Sequence, residues 1–387
     1  MWYNHAMQVV AAIGGVFLVM VILWEGFETI VLPRRVTRRF RLSRYLFRFC
    51  WRSWRGAVTS LVPAKFRETW LSFFAPLFNL LMIGFWVICL IIGFALLHWA
   101  IGSQVRATVG DRGFFTDLYM SGTTFFTLGL GDVIPGVGVA RFLTVLEAGL
   151  GFGFLALVIS YIPALNQSFA RREVSISLLD ARAGSPPCAG EILRRHADAH
   201  GMEALRQLLL EWETWSAELL EGHISYPVLA YFRSQHDNQS WLGALTAVLD
   251  TCALVMVGVE RSCKRQAELT FAIARHAVVD LALIFNRPPL KPSHDRLSPD
   301  MLAQLHTILT DAGLKFNKGE AADEHLAKLR AMYEPYANGL AAFFLIKLPP
   351  WVADEGKLDN WQVSAWEPLG ASFRGVESKG RDRREHF

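Results

Sequence analysis

Three apolar segments, each about as long as a lipid bilayer is thick, constrain the fold of this chain more than any other feature. They cover residues 9–32, 76–99 and 142–165. A helix needs roughly 20 mostly apolar residues to cross the hydrocarbon core. The 387-residue chain is 52% hydrophobic and 19% charged, so it is too apolar for an ordinary soluble protein and too polar to be embedded throughout. The sequence therefore predicts an all-α membrane protein that also has a polar part.

The first apolar segment carries two acids, Glu25 and Glu28, close to its C-terminal end. There they can reach the membrane interface or pair with the arginines that follow. No basic residue precedes the apolar run, unlike the charge pattern of a signal peptide. We therefore expect this segment to be retained as a transmembrane helix.

A hexapeptide with alternating glycines lies between the second and third apolar segments. It consists of Thr127, Leu128, Gly129, Leu130, Gly131 and Asp132. Alternating glycines allow a backbone whose successive carbonyl groups point at one axis, which residues with a Cβ would resist. Carbonyl oxygens in such an arrangement replace the water shell of a permeating cation. An isolated hexapeptide of this kind is also typical of a glycine-rich turn, but the flanking apolar segments favour an ion-selectivity filter.

The residues before the hexapeptide favour a short pore helix. Residues 114–126 have a suitable length, and Thr116 or Asp117 is available as the N-cap. The C-terminal end of a helix carries partial negative charge, which favours a cation in front of it. We therefore predict a pore helix that ends at the filter.

From residue 75 to residue 165 the chain resembles the pore-loop potassium channels, whose filter reads Thr-Val-Gly-Tyr-Gly-Asp. The matching positions are Thr127, Gly129, Gly131 and Asp132. Leu128 replaces the usual valine or isoleucine, and Leu130 replaces the tyrosine whose hydroxyl ties the filter to the pore helix in that family. Phe126 stands where the family usually carries a threonine or serine. The resemblance implies a potassium channel, with a weakly selective or nonselective monovalent cation channel as the alternative.

The resemblance also implies the chemistry and assembly of the pore. K⁺ is expected to bind the carbonyl oxygens of Thr127, Leu128, Gly129 and Leu130. One chain supplies one pore loop and a four-fold filter needs four, so we expect a homotetramer. The permeating K⁺ is the only cofactor expected, and no catalytic triad, phosphate-binding loop or metal motif in the sequence indicates an enzyme. A membrane-anchored sensor that does not conduct is the alternative from another class of protein.

Three further residues, Thr123, Thr124 and Glu147, are expected to support the filter. Glu147 is an acid inside the third apolar segment, where a charged side chain is costly unless it has a partner. In the family that the pore resembles, a pore-helix glutamate often buttresses the filter aspartate, whereas this chain has Thr123 in that region. We expect Glu147 to hydrogen-bond to Thr123 or Thr124, either supporting the filter or only holding the packing together.

The third apolar segment also contains the expected hinge and gate, which are Gly149, Gly151, Phe152, Ile159 and Pro163. A glycine lowers the cost of bending a helix and equally permits close packing against a neighbour, and the sequence does not choose between these roles. Four copies of the apolar side chains at positions 152, 159 and 163 would form a constriction that closes by losing its water. We therefore expect the gate near Ile159 or Pro163.

Arginines recur between the first two apolar segments, and those expected to face lipid are Arg35, Arg38, Arg41, Arg44 and Arg48. Their spacing superficially resembles a voltage sensor, but such a sensor buries its arginines among several membrane helices, and only one span precedes this pore. Interleaved aromatic residues favour an amphipathic helix at the membrane surface, with its guanidinium groups on anionic lipid headgroups rather than on nucleic acid. Arginine-rich loops stay in the cytoplasm, which predicts an external filter and a cytoplasmic C-terminal part.

These features divide the chain into five parts. They are an N-terminal transmembrane helix (1–32), a polybasic interfacial segment (33–70), the pore module (71–170), a helical cytoplasmic bundle (171–350) and a C-terminal tail (351–387). The size of the chain and the resemblance to pore-loop channels imply a multi-pass protein of the cell (inner) membrane, with the C-terminal part in the cytoplasm. Helices are expected over residues 189–200, 202–222, 241–261, 266–285, 299–312 and 323–345, the last kinked or split at Pro335. Residues 241–285 favour a helical hairpin of a soluble bundle, with two extra spans as the alternative.

The predicted cytoplasmic bundle shows no motif that identifies a regulatory ligand. It lacks the Gly-x-Gly-x-x-Gly pattern of dinucleotide-binding domains. Two pairs of side chains, His276 with Asp280 and His196 with His200, could each offer two metal ligands, a pattern that arises easily by chance. Residues 223–238 form a polar and aromatic connection, for which we predict a structural turn, with a ligand pocket or a subunit contact as alternatives.

Overall fold

The computed structural model describes residues 2–32, 42–103, 105–107, 113–198, 200–236, 238–258, 261–292 and 294–353. Regular structure in these ranges is helical apart from one short β-ribbon, which confirms the all-α prediction. The helices are α1 (Trp2–Gly26, followed by the π-helical turn Phe27–Val31), α2 (Leu42–Leu61), α3 (Arg67–Ser72), α4 (Phe74–Ala100), α5 (Phe114–Phe125), α6 (Gly138–Ala183), α7 (Ala189–Arg195), α8 (Gly201–Ser225), α9 (Trp241–Val257), α10 (Arg261–Ile284), α11 (Pro299–Asp311), α12 (Glu320–Ala331) and α13 (Glu334–Phe344). Two 3₁₀ turns span Ala64–Phe66 and Pro227–Tyr231. Strands β1 (Val105–Ala107) and β2 (Val133–Pro135) pair antiparallel.

Among the described residues, three helical stretches are long and apolar enough to cross a membrane, namely His5–Val31, Ala64–Ala100 and Gly138–Ala183. They cover the three predicted spans except for Leu32 at the end of the first. Helix α9, at 17 residues, is shorter, and every residue of it except Met256 is buried. A helix that is apolar on all sides and covered on all sides belongs to a protein core. This burial favours the soluble-bundle interpretation of residues 241–285 over two extra spans.

The chain forms two compact units. The first consists of residues 1–169 and 224–233, and the second of residues 170–223 and 234–387. The assignment of residues 224–233 to the first unit was not foreseen from the sequence, because it depends on contacts between segments far apart in the chain.

In the first unit, α1 packs closely against α4 through two glycines. A Cβ on Gly15 would lie 2.8 Å from the carbonyl oxygen of Gly93, and a Cβ on Gly93 would lie 2.7 Å from Cγ2 of Val19. Small residues allow two helix backbones to approach each other where no water is expelled to drive association. The first span is therefore an integral part of this unit.

Glu25 fixes the start of α2. Its side chain is buried, and its carboxylate oxygens accept the backbone N–H groups of Leu42, at 2.9 Å, and Ser43, at 3.2 Å. The first amides of a helix have no partner within the helix and carry partial positive charge, so a carboxylate stabilises them. The structure thus gives Glu25 a partner that the sequence did not indicate, while its reach to the interface or to the arginines at positions 34–41, which lie outside the described residues, stays a prediction. Glu28 accepts the indole N–H of Trp24 at 2.8 Å.

The aromatic face of α2 packs on protein. The ring centroid of Trp51 lies 4.8 Å from that of Phe74 in α4 and 5.0 Å from that of Tyr231, and the Phe47 centroid lies 4.2 Å from that of Phe78. These rings pack on the apolar surface that α4 and the turn Pro227–Tyr231 offer within the same unit, whereas Phe49 on the same helix is exposed, so the interfacial position of α2 stays a prediction. This packing favours the structural-turn interpretation of residues 223–238.

The predicted lipid-facing arginines are described only in part. Arg48 is exposed and Arg44 is half-buried in α2. Arg35, Arg38 and Arg41, together with most of the predicted C-terminal tail, lie outside the described residues. The lipid contact therefore stays a prediction.

Helix α9 lies at the centre of the second unit, in contact with α7, α10, α12 and α13. Its Asp250 is fully buried, and the Oδ2 atom of that residue lies 2.6 Å from Nη2 of Arg296. The hydroxyl of Tyr333 also donates to Asp250. Nη1 of Arg296 lies 3.0 Å from Oε1 of Glu334, so one guanidinium connects two buried carboxylates.

The helix boundaries in the second unit differ from the predicted ones near prolines and loops. The predicted helix 323–345 is split, because α12 ends at Ala331 and α13 begins at Glu334 with Pro335 in its first turn. Proline suits a first helical turn because it has no amide hydrogen to donate. The helix predicted over residues 189–200 ends at Arg195, and α10 begins at Arg261, earlier than predicted.

Candidate functional site

The pore helix α5 begins at Phe114, earlier than its predicted N-cap. The Gly113 carbonyl accepts the backbone N–H groups of Thr116 and Asp117, each at 3.0 Å, so both residues already lie in the first turn. The buried carboxylate of Asp117 instead accepts the hydroxyl of Ser103 at 2.6 Å. The predicted cap at Thr116 or Asp117 is therefore wrong, and Asp117 connects the pore helix to the chain that follows α4.

The end of α5 fixes the start of the hexapeptide. The N–H of Thr127 donates to the carbonyl of Thr124 at 2.9 Å, and the N–H of Leu128 donates to the carbonyl of Thr123 at 2.8 Å. These bonds satisfy carbonyl groups that the last turn of a helix leaves without partners. Thr123 and Thr124 thus contact the hexapeptide through their backbone, while the Thr123 hydroxyl donates to the Met120 carbonyl at 3.0 Å.

The backbone of the hexapeptide alternates in handedness. The φ angle is +57° at Thr127, +57° at Gly129 and +80° at Gly131, whereas Leu128 and Leu130 do not have positive φ. Glycine adopts positive φ without a steric penalty, and a β-branched threonine does so at a cost. Alternation of this kind turns successive carbonyl groups toward a common side, as a ring of ion-coordinating carbonyls requires.

The two leucine side chains of the hexapeptide are exposed in a single subunit. Leu128 is 61% exposed and Leu130 is 64% exposed. Beyond the hexapeptide, β2 pairs with β1 from the segment before the pore helix, with Arg106 opposite Ile134. The loop is thus tied to the subunit at both ends, and its leucine side chains lie open between them.

Tyr119 of the pore helix was missed in the sequence interpretation. Its hydroxyl hydrogen-bonds to the carboxylate of Asp132, and this bond, with the carboxylate's negative charge, raises the pKa of the phenol. The family that the pore resembles has its filter tyrosine at the position of Leu130, and Tyr119 supplies a phenol from the helix side. A polar aromatic residue in a pore helix that precedes a filter aspartate was the signal available in the sequence.

Glu147 of α6 contacts the pore helix through an unexpected residue. Its side chain is fully buried, and Ser121 donates a hydrogen bond from its hydroxyl to Oε1 of Glu147. Nε2 of His98, in α4, lies 3.8 Å from Oε2 of Glu147. The expected partners, Thr123 and Thr124, are therefore wrong as side-chain partners, because the face of α5 that α6 approaches carries Ser121.

Gly151, one helical turn after Glu147, allows α6 to touch the end of the pore helix. A Cβ at this position would collide with the carbonyl oxygen of Phe125, whereas a Cβ at Gly149 or Gly153 would meet nothing within 4 Å. At Gly151 the missing side chain therefore serves close packing. Whether a neighbouring glycine also acts as a hinge stays a prediction.

The expected gate residues are open to solvent in a single subunit. Phe152 is 70% exposed and Ile159 is 73% exposed, and Pro163 is exposed as well. Helix α6 continues without interruption from Gly138 to Ala183, with Pro163 inside it.

No group of three or more His, Cys, Asp or Glu side chains is arranged to hold a metal ion in the part of the chain that the structure describes. Nε2 of His276 lies 3.8 Å from Oδ2 of Asp280, with the histidine exposed and the aspartate half-buried. The Nδ1 atom of His196 lies 2.7 Å from the Ile192 carbonyl oxygen, which gives this ring a hydrogen-bonding role within its own helix.

Residues 80–167 match the family described as "Ion channel". The matched range includes most of α4, the pore helix, the hexapeptide and the first part of α6.

Two curated bacterial proteins are similar to the chain. The uncharacterized membrane protein YdjJ of Bacillus subtilis (strain 168) is 26% identical over 193 residues, which are 46% of this chain and 52% of that protein. Protein LctB of Geobacillus stearothermophilus is 26% identical over 120 residues, which are 27% of this chain and 89% of that protein. The chain thus spans only about half the length of the first of these relatives. No solved structure matches the chain. Residues 80–167 thus match the ion channel family, within a chain whose described residues include three helices long and apolar enough to span a membrane.

Proposed function

We propose that the chain is the subunit of a homotetrameric, potassium-selective channel. The observation that carries this proposal is the backbone directly after the pore helix. Positive φ angles at Thr127, Gly129 and Gly131 alternate there with residues that do not have positive φ. In the proposed pore, the carbonyl oxygens of residues 127–130 replace the water shell of K⁺. The bond from Tyr119 to Asp132 then holds the outer end of the filter, where the family's tyrosine is absent.

Four-fold assembly accounts for the apolar surface that a single subunit leaves open. Four apolar side chains are each more than 60% exposed. They are Leu128 and Leu130 in the proposed filter and Phe152 and Ile159 on α6. Contiguous exposed apolar surface marks an interaction site or a membrane contact. Neighbouring copies would cover the leucines, and the α6 residues would surround a central cavity that closes near Ile159 or Pro163.

The arginine-rich segment gives the proposed orientation. Short loops rich in arginine stay in the cytoplasm, so the segment between α1 and α4 and the second unit are cytoplasmic and the filter faces outward. Arg48, exposed on α2, is then placed to meet anionic headgroups at the inner surface of the cell membrane.

A liposome flux assay tests the proposal. Purified protein is reconstituted into vesicles loaded with KCl, which are diluted into NaCl in the presence of a proton ionophore and a pH-sensitive dye. A potassium-selective pore lets K⁺ leave, and the resulting negative internal potential draws protons inward and quenches the dye. The variant Gly129→Ala should abolish quenching, because alanine at positive φ costs about 1–2 kcal/mol in each subunit. Gly84→Ala is the matched control, since a Cβ there meets nothing within 4 Å.

A second dilution separates the alternatives. Replacing external Na⁺ by the impermeant cation N-methyl-D-glucamine restores the potential even when the pore also admits Na⁺. Quenching in the N-methyl-D-glucamine buffer but not in the NaCl buffer would show a nonselective cation channel. If valinomycin quenches the dye but the protein does so in neither buffer, the non-conducting sensor is correct.

A further inference from the structure

A polar cluster around Glu147 lies behind the pore helix, with two members, His98 and Ser121, that the sequence did not indicate. Three helices each contribute one fully buried side chain, which are His98 from α4, Ser121 from α5 and Glu147 from α6. Ser121 donates its hydroxyl to Glu147, and its Oγ atom also lies 2.9 Å from the carbonyl oxygen of Ile91 in α4. The cluster thus joins the three helices that build the pore module.

The cluster has more hydrogen-bonding capacity than it uses. Both ring nitrogens of His98 and Oε2 of Glu147 are buried without a hydrogen-bond partner, among the residues that the structure describes. Nε2 and Oε2 are 3.8 Å apart, which is longer than a hydrogen bond and short enough for a small rotation to close. Polar atoms that are buried and unpartnered are costly, and their presence calls for a functional explanation.

The cluster is mechanically connected to the filter. Ser121 lies one helical turn before Phe125, and Glu147 lies one turn before Gly151, where an added Cβ would collide with the carbonyl group of Phe125. The carbonyl groups of the same final turn of α5 hold the amides of Thr127 and Leu128. A shift of α6 relative to α5 at Glu147 would therefore move the start of the filter.

Other ionisable side chains lie on the same helices, among them Cys89 on α4, which is half-buried, and Tyr119 on α5, which hydrogen-bonds to Asp132. On α5, Asp117 is buried one turn before Ser121 and accepts the Ser103 hydroxyl. On α6, Arg141 is exposed.

Helix α1, which packs on α4, brings no further charge to the cluster from its described side chains. Its His5 is exposed, Glu25 binds the start of α2, and Glu28 binds Trp24. Asp117 is the additional buried acid on α5, and its hydrogen bond with Ser103 is a separate contact.

We propose that His98 is a positioning residue for the filter, which together with Glu147 and Ser121 forms a proton-binding site that controls conduction. A proton gained or lost at this cluster changes the charge of a dry site by one unit and changes whether His98 and Glu147 attract each other. The change is passed through Ser121 and the end of α5 to the filter. This inference rests on the proposed channel function and assigns to it a regulatory ligand, the proton.

The direct test is the pH dependence of current in planar bilayers, scanned from roughly pH 4 to pH 8 to bracket the usual titration of glutamate and histidine side chains. We expect the wild-type current to change roughly fivefold or more over this range, as is typical of coupling between two sites. His98→Gln and Glu147→Gln should each flatten the profile, and the double variant should be no flatter than either single one. His5→Gln, at an exposed histidine, should keep the wild-type profile. A flat wild-type profile, or an unchanged profile in His98→Gln, would overturn the proposal.

A spectroscopic measurement separates this proposal from the channel function. Infrared difference spectra of the full chain in liposomes, recorded between acid and neutral pH, report carboxyl protonation without requiring current. We expect a carboxyl band that is absent in Glu147→Gln and displaced in His98→Gln. If the protein does not conduct but this band behaves as described, the proton site stands and the channel proposal fails. A band that is identical in wild type and both variants excludes the proton site whether or not current flows.

Discussion

Replacing Arg296 by methionine should destabilise the second unit strongly. The Arg296 side chain is 12% exposed and contacts the fully buried Asp250 at 2.6 Å. In the variant, Glu334 would still be paired with a cation, because its Oε2 atom lies 2.9 Å from Nη2 of Arg330. The loss therefore falls on Asp250, which would retain the hydrogen bond from Tyr333 and the attraction of the Arg330 charge. Removing one partner of a buried ion pair costs about 3–5 kcal/mol, because the other charge stays buried without compensation.

The loss of folding stability caused by Arg296→Met should also depend on pH. Burial raises the pKa of Asp250 and the Arg296 guanidinium opposes that rise, so Arg296→Met raises this pKa further. A folded-state pKa above the unfolded value near 3.9 means that the folded variant holds its proton more tightly than the unfolded chain. Stability of the variant is then lost as pH rises through the folded-state pKa. The deficit relative to wild type should be larger at pH 8 than at pH 5.

Hydrogen exchange of the full chain in detergent micelles, followed by mass spectrometry, measures this effect on peptides from α9. A decrease of about 3 kcal/mol in the free energy of unfolding corresponds to amide exchange that is about 150-fold faster. Arg265→Met is the matched control, because its partner is Glu268 at 3.3 Å on an exposed surface, where ion pairs contribute about 0–1 kcal/mol. Adding Asp250→Asn to Arg296→Met should restore part of the protection, since no unpaired carboxylate remains. Equal effects of Arg296→Met and Arg265→Met on α9 would refute the reasoning.

Three further predictions concern packing, capping and acid sensitivity. Gly15→Ala forces a Cβ to 2.8 Å from the Gly93 carbonyl and should lower stability by about 1–3 kcal/mol in a thermal unfolding assay, whereas Gly14→Ala, in open space, should match wild type. Glu25→Gln should speed amide exchange over residues 42–46 by a factor that corresponds to about 1 kcal/mol, and unchanged exchange would show that the carboxylate charge does not stabilise α2. Burial lowers the pKa of His223 to about 3, below the unfolded value near 6.5, so stability is fully present above pH 6.5 and falls by up to about 1.4 kcal/mol per pH unit as pH decreases. His223→Gln should therefore give a shallower loss of stability between about pH 6.5 and pH 5, measured by denaturant titration.

The three long apolar helices and the positive φ angles at Gly129 and Gly131 could be predicted because their causes are local. A bilayer requires about 20 consecutive apolar residues, and a carbonyl-lined strand requires glycine at alternate positions, so Gly129 and Gly131 identify it without knowledge of distant contacts. The split at Pro335 is equally local, since proline cannot donate a helical hydrogen bond.

The partners of buried polar groups could not be predicted, because they depend on which helix faces meet. Glu147 was expected to bind a threonine near the filter, yet the rotation of α5 presents Ser121, and α4 adds His98 from 49 positions earlier in the chain. Glu25 was expected to reach the interface or to pair with arginines, and the amides of Leu42 and Ser43, which it binds in the structure, were not foreseen. A sequence pattern shows that such a group needs a partner and does not show which one it finds.

Tyr119 illustrates a third kind of difference. The sequence shows that Leu130 lacks the hydroxyl of the family's filter tyrosine, and it does not show where a replacement lies. The phenol of Tyr119 reaches Asp132 from the pore helix only because the loop folds back beside that helix. Compensation across a turn of this kind becomes visible only in three dimensions.

The reversal potential under bi-ionic conditions tests the central claim of potassium selectivity most directly. Purified protein is placed in a planar bilayer with K⁺ on one side and Na⁺ at equal concentration on the other. A selective filter should displace the reversal potential toward the potassium equilibrium value by more than about 59 mV, which corresponds to a tenfold permeability ratio for a univalent ion. Gly129→Ala should remove this displacement. A wild-type reversal potential near zero, with current of normal size, would contradict the claim.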